Sequence, residues 1–298
     1  MRVFVTGATG FIGSATVHEL LDAGHQVVGL ARSDAAAASL TTAGVEVQRG
    51  DLSDPESLRS ATAAADGVIH TAFNHDPAIY TASALADQRA IATLGETLAG
   101  SDRPLVVASG LAGLNPDRVS TEEDTPAPGG ARLSEETAMS FVERGVRVSV
   151  VRLAASVHGE GDRGSVPGLI NIARAKGVSA YLGDGSNRWP AVHRLDAARL
   201  FRLALETAPT GARLHGIAEE GVPIRDIAEA IGRRLSLPVA SIPLTQAVDH
   251  FGWLGGFLSM DASASSTLTE KLLDWHPEQP DLLQDLEQGH YFTRATPA

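Results

Sequence analysis

The stretch Val3-Phe4-Val5-Thr6-Gly7-Ala8-Thr9-Gly10-Phe11-Ile12-Gly13 constrains this chain more than any other segment. An apolar run ends in a glycine-rich turn, and a helical pattern begins inside the turn. That strand–turn–helix context is what a dinucleotide-binding fingerprint needs. Gly7 allows the tight turn, Gly10 lets a diphosphate approach the backbone, and Gly13 lets the helix pack closely on the strand. The first N–H groups of the helix, with the positive end of its dipole, then face the phosphates.

The rest of the first half repeats the alternation of short apolar runs with helical patterns, which predicts βαβ units and a parallel sheet. Strands are expected at Arg2–Thr6, Gln26–Ala31, Val45–Gln48, Gly67–Thr71, Pro104–Ala108 and Arg147–Leu153. Helices are expected at Phe11–Ala23, Ala35–Thr42, from Pro55 behind an Asp54 N-cap, at Pro77–Ala99 and at Arg132–Arg144. Residues 115–131, rich in Pro, Gly and acids, read as a loop. The second half is less regular. Helical patterns occur at Val166–Ala175, from an Asp196 N-cap to Glu206, at Ile224–Arg234, Leu268–Leu273 and Asp281–Gly289, with an apolar turn at Trp253–Leu258. Trp189, Phe251, Trp253, Phe257 and Trp275 offer the lining of an apolar pocket, with core packing as the alternative and the favoured reading for Trp253 and Phe257.

Composition narrows the function classes. Hydrophobic residues make up 43% and charged residues 20%, so a sizeable core can form. The absence of cysteine removes disulfides, thiolate metal sites and cysteine nucleophiles together. The histidines are scattered without zinc-site spacing, so no metal is expected. A net charge of −12 with no basic cluster argues against nucleic acid. No apolar run approaches the ~20 residues of a membrane span, and no charged leader precedes the first strand, so the expectation is a cytoplasmic protein acting on a small molecule.

Thr6-Gly7-x-x-Gly10-x-x-Gly13 resembles the turn of the extended short-chain dehydrogenase/reductases, the branch that holds the NAD-dependent epimerase/dehydratase proteins. Gly50-Asp51-Leu52, Val68-Ile69-His70-Thr71-Ala72, Val192-His193-Arg194-Leu195-Asp196 and Leu272-Leu273-Asp274-Trp275-His276-Pro277 resemble further segments of that family, so the likeness spans nearly the whole chain. It implies an α/β fold: a Rossmann doubly wound parallel sheet over residues 1–155, with a return segment near 192–217. A smaller C-terminal substrate-binding or lid region would occupy most of 156–298. It implies cofactor contacts at Gly7, Thr9, Gly10, Phe11, Ile12 and Gly13, and at Asp51 and Leu52. Thr71, Ala72, Phe73 and Ser109 complete the expected cofactor set. Relatives also pair through the helices near 77–99 and 132–144, which implies a homodimer.

The chain departs from the family pattern at the catalytic helix. The family's Tyr and the Lys four residues later are missing from Pro128-Gly129-Gly130-Ala131-Arg132-Leu133-Ser134-Glu135-Glu136, which places the chain with the atypical subgroups. Arg132 lies about where the Lys would be. It can bind a ribose, but its pKa is too high for proton exchange. Ser109 ends a strand at the crevice and can bond a carbonyl. His158 follows the sixth strand and has the chemistry of a proton donor, with a structural histidine as its alternative. Asn74-His75-Asp76 faces the same crevice; His75 reads as a proton donor oriented by Asp76 or as solvated loop polarity. His193 reads as structural, and Arg188 lies one position from where related sugar-nucleotide enzymes hold a phosphate with an arginine.

The second strand ends Ala31-Arg32-Ser33. NAD-specific relatives place an acid there, for the ribose 2′-hydroxyl. Ala31 leaves space, Arg32 offers a charged fork and Ser33 a hydroxyl, which favours NADP over the alternative NAD. Asp34, one position on, is the feature that would favour NAD. The function read from these residues is an NAD(P)-dependent oxidoreductase that reduces a carbonyl or related small-molecule substrate with a non-standard proton donor. The alternatives are a non-catalytic NADP(H) sensor and a sugar-nucleotide epimerase/dehydratase.

Overall fold

The computed structural model describes residues 1–111, 114, 118–126, 130 and 132–293. Its strands are β1 (Arg2–Thr6), β2 (Gln26–Ala31), β3 (Glu46–Arg49), β4 (Gly67–His70), β5 (Pro104–Gly110), β6 (Arg147–Leu153), β7 (Ser156–His158), β8 (Ser179–Leu182), β9 (Arg188–His193), β10 (Ala212–Gly216), β11 (Glu219–Pro223) and β12 (Val239–Ile242). Seven of them form one parallel sheet in the order β10-β6-β5-β4-β1-β2-β3. The order reverses between β1 and β4, where Thr6 lies beside His70. In open α/β sheets a ligand crevice forms at such a reversal, outside the carboxyl ends of the strands. Here that places the Gly7–Gly13 turn, Thr71 and Ser109 at one edge of the sheet.

Both faces of the sheet are covered, which is why its strands are nearly continuous apolar runs. On one face Val3, Val5, Ile69, Val106 and Val151 belong to one core with Val17 and Leu20 of helix Phe11–Asp22 and Leu200, Phe201 and Leu205 of helix Arg194–Thr207. On the other, Phe4, Val68, Leu105, Val107, Val148 and Val150 meet Leu58, Ile91, Leu94, Leu98 and Ala138 from helices Pro55–Ala63, Tyr80–Leu98 and Ser134–Met139.

A third core gathers Leu169, Trp189, Ile227, Ile231, Phe251 and Leu286. Around it lie a three-stranded sheet, β11-β9-β7, and the parallel pair β12-β8. These small strands leave no readable pattern in the sequence. They are three to six residues long, too short for alternation to stand out from coil.

Other expectations need correction. The helix expected at Arg132–Arg144 is a short α-helix, Ser134–Met139, followed by a 3₁₀ turn at Val142–Arg144. Asp196 does not cap its helix. His193 does, with Nδ1 accepting from the Leu195 N–H at 3.3 Å. Asp196 is instead buried in the first turn and accepts from the Glu278 and Gln279 N–H groups. Trp253 and Phe257 are not core: they are 58% and 48% exposed. Trp189 and Trp275 supply the buried indoles. Of the loop expected over 115–131 and the segment carrying the missing Tyr, residues 115–117, 127–129 and 131 lie outside the described residues.

Candidate functional site

The glycine turn is shaped by close backbone approach. Gly7 has φ +70°, and a Cβ there would sit 2.7 Å from the Ala72 nitrogen. A Cβ on Gly13 would fall 2.0 Å from the Gly7 carbonyl oxygen. Thr71 closes the floor: its hydroxyl donates to the Thr6 carbonyl at 2.8 Å and lies against Gly7 and Gly13. Gly10, the N-cap of helix Phe11–Asp22, gives no side-chain cap, and Thr9 and Gly10 are exposed. Phe11 and Ile12 begin that helix half-buried. The turn is thus a backbone cradle open to one side, with N–H groups unspent, which fits a dinucleotide diphosphate.

At the β2 and β3 ends, Ala31, Arg32, Arg49, Gly50, Asp51 and Asp54 line an open cleft of about 530 Å³. Arg32 is exposed. Asp34 turns away to an ion pair with Arg49. Ser33 is committed as an N-cap, its Oγ accepting from the Ala36 N–H at 3.2 Å. Asp51 accepts from the backbone N–H and the hydroxyl of Ser53, and these bonds, with the charge of Arg32, hold its carboxyl below the usual carboxylate range. Leu52 beside it is half-buried.

The other end of the crevice carries a chain of polar groups that the sequence did not announce. Thr6 Oγ1 lies 2.7 Å from His70 Nδ1, and His70 Nε2 lies 3.0 Å from Asp87 Oδ1. Ser134 donates to Asp87 Oδ2, Arg132 Nε donates to Ser134 Oγ at 2.6 Å, and Arg132 Nη2 donates to the Ala108 carbonyl at 3.1 Å. Thr6, His70, Asp87 and Ser134 are all buried. Burial works to raise the Asp87 pKa, but His70, the Arg132 charge and the Ser134 hydroxyl outweigh it, and the carboxyl lies below its ordinary value. The Arg132 guanidinium is stacked on Phe73, 3.9 Å from the ring centre. The His75 ring tilts against the same Phe73, with 4.7 Å between ring centres. Ser109, the residue after Ala108, is half-buried, and no hydrogen bond engages its hydroxyl among the described residues.

The short helix after Arg132 has a second anchor. Arg152, wholly buried on β6 beside Ser109, grips both oxygens of Glu135 at 2.8 and 2.7 Å. Arg213 adds a third bond at 2.8 Å. Burial pushes the Glu135 carboxyl up, but the two arginines outweigh it and lower its pKa.

The structure therefore gathers Ser109, Arg132 and Phe73 at the β4–β5 end, and Arg32, Asp51 and Leu52 at the β2–β3 end, with the glycine turn and Ala72 between them. It does not bring His158 to the crevice. That ring is 0% exposed, with Nδ1 2.9 Å from Asp285 Oδ2 and its edge toward His193. Its neighbourhood holds helix Leu282–Glu287, and its Nε2 is buried without a hydrogen-bond partner among the described residues. His193 is buried as well, and desolvation together with His158 lowers its pKa. Arg188 is paired with Asp261 at 3.2 Å, not held free for a phosphate. His70, Asp87 and Ser134 were missed. A polar residue inside the apolar run Val68-Ile69-His70 and an acid on the buried side of a helix were the available signals.

Residues 3–100 match the model of the NAD dependent epimerase/dehydratase family. An uncharacterized protein of Schizosaccharomyces pombe is 50% identical over 98% of this chain and 100% of its own length. The 2-alkyl-3-oxoalkanoate reductase of Stenotrophomonas maltophilia is 29% identical over 80% of this chain and 77% of its own. Among solved structures, the dTDP-glucose 4,6-dehydratase DesIV of Streptomyces venezuelae, with NAD bound, superposes at a TM-score of 0.78 with 20% identity, covering 98% of each chain. Sequence and glycine cradle agree: the chain belongs to the NAD-dependent epimerase/dehydratase family, and it shares the fold of that solved dehydratase.

Proposed function

We propose that this protein is an NADP-dependent reductase of a small carbonyl compound. The observation that carries the reading is the Arg132 guanidinium, fixed by Ser134, Asp87 and the Ala108 carbonyl next to an uncommitted Ser109 hydroxyl. A bound nicotinamide supplies the hydride. The Ser109 O–H donates to the substrate carbonyl oxygen, and the nearby Arg132 charge stabilises negative charge as it develops there. Arg132 also offers N–H groups to the nicotinamide ribose, the part the family assigns to its lysine. It holds its own protons too tightly to give one up, so water completes the alcohol. Loss of a dedicated acid costs ~10²–10⁴-fold, which leaves room for turnover.

The reductase relative supports a reduction over an epimerisation. The Arg188–Asp261 pair weighs against a sugar-nucleotide diphosphate, because it occupies the arginine such a ligand would need. NADP is favoured by Arg32 and Arg49 on one cleft, with Asp34 neutralised by Arg49 instead of facing a ribose.

NADPH oxidation against a panel of ketones, aldehydes and imines tests the reading. Turnover of at least one carbonyl, lowered ~10²-fold or more in Ser109→Ala, is the expected outcome. Tight NADPH binding with no turnover on any member would establish the sensor instead.

A further inference from the structure

We infer that Arg194 is a second, side-chain clamp for the diphosphate of the dinucleotide, facing the backbone cradle of the glycine turn. The inference rests on the dinucleotide reading above. Helix Arg194–Thr207 packs against helix Phe11–Asp22, so the first residues of the two helices meet at the crevice. The Arg194 guanidinium lies over the Phe11 ring, 5.3 Å from its centre, within cation–π range. Phe11 is the first residue after the Gly10 cap. The guanidinium is therefore held at the end of the helix whose N–H groups are unspent.

Two features indicate that this arginine awaits a ligand. First, among the described residues it makes no ion pair and no hydrogen bond, so the guanidinium over Phe11 at the start of the cradle helix is not already engaged by an acid. Second, the stem is built in. Gly159 has φ +129°, and a Cβ there would stand 3.2 Å from Arg194 Cγ; a Cβ on Gly161, φ +86°, would stand 3.6 Å from Nη1, an ordinary contact. The side chain runs beneath this loop, closely enough that a side chain at Gly159 would crowd its stem. A planar guanidinium fixed in this way suits two-pronged recognition of phosphate oxygens. The ring of Phe11 would keep its plane oriented before the ligand arrives, so little ordering is left for the binding step.

The diphosphate is common to NADPH and NADH, and this separates Arg194 from Arg32. Calorimetry on the full chain, with both cofactors, measures the two. Arg194→Met keeps the stem and removes the charge. It is expected to weaken NADPH and NADH by the same factor, about tenfold to a hundredfold. Arg32→Met is expected to weaken NADPH alone. Arg194→Lys, which keeps a point charge but loses the fork, should fall between wild type and Arg194→Met, and it serves as the second variant if Arg194→Met melts early. Unchanged affinity in the Arg194 variants, or loss confined to NADPH, overturns the clamp while leaving the dinucleotide site in place. A wild-type protein that binds neither cofactor overturns the dinucleotide reading and the clamp with it.

Discussion

Removing Asp87 should cost this protein a large part of its stability. The carboxylate is 1% exposed and serves three groups: His70 Nε2 at 3.0 Å, the Ser134 hydroxyl, and Arg132 Nε at 3.5 Å. In Asp87→Ala the His70 and Ser134 groups lose a buried partner, at ~1–3 kcal/mol each. The sum of ~2–6 kcal/mol agrees with the ~3–5 kcal/mol expected when one member of a buried charged cluster is deleted. With a urea slope of about 3 kcal/mol per molar, the unfolding midpoint should fall by roughly 0.7–2 M. Asp87→Asn keeps the shape and one acceptor, and should lose about a third as much. Because the Asp87 pKa is lowered in the folded protein, its contribution is complete above the unfolded value near 3.9 and is lost as the pH falls through the folded value. The gap between wild type and Asp87→Ala should therefore hold constant from pH 7 to about 5 and narrow only below about 4. A midpoint within about 0.2 M of wild type for Asp87→Ala, or a gap that closes near pH 6, would refute the reasoning.

Gly13→Ala should abolish cofactor binding and cost ~3 kcal/mol or more in urea unfolding, since its Cβ would collide with the Gly7 carbonyl oxygen at 2.0 Å. A stable variant with normal NADPH affinity would contradict the cradle. His158→Leu should destabilise by ~1–3 kcal/mol, because Asp285 Oδ2 loses its partner while Oδ1 keeps His290, yet leave kcat of the folded fraction within about twofold of wild type. A selective loss of kcat would return His158 to the chemistry. Burial raises the Asp162 pKa despite its bonds from the Gly164 N–H and the Tyr291 hydroxyl. A raised carboxyl pKa contributes stability below the unfolded value and loses it as the pH rises through the folded one. Asp162→Asn should accordingly raise Tm at pH 7–8, with the gain vanishing below about pH 4. Scanning calorimetry at three pH values would expose the opposite trend.

The nucleotide half of the fold is legible because each of its signals is local. Gly7, Gly10 and Gly13 stand within one turn, and β1, β2, β5 and β6 are apolar runs bounded by polar residues. The β3 and β4 boundaries shift by one residue, as the ends of such elements commonly do. The Arg132 end of the crevice is legible only in part. Arg132 stands out by its place in the chain, but what fixes it does not: Asp87 lies 45 residues earlier and His70 lies 17 before that. Such pairings exist only after β4, β5 and two helices have assembled. Ser33 illustrates the converse. Its position in the chain suggests a phosphate contact, yet local geometry makes it the N-cap of helix Asp34–Thr42, since a Ser three residues before a free N–H is already a complete cap. His158 is hard to place for a related reason. Its acid partner, Asp285, comes 127 residues later, and nothing near His158 in the chain foretells it.

The position of β10 at the rim of the main sheet has a consequence for synthesis. Residues 212–216 pair with β6, and the helix before them covers the face of β1, β4 and β5 with Leu200, Phe201 and Leu205. A ribosome that has released only residues 1–155 has therefore delivered a sheet with one face only partly covered and one edge unpaired. Such a nascent sheet is prone to aggregation. It must wait for about sixty more residues, roughly 3–12 s at ordinary elongation rates, before the chain that covers it emerges. Fast elongation would shorten that interval, and slow-translated codons before residue 194 would lengthen it.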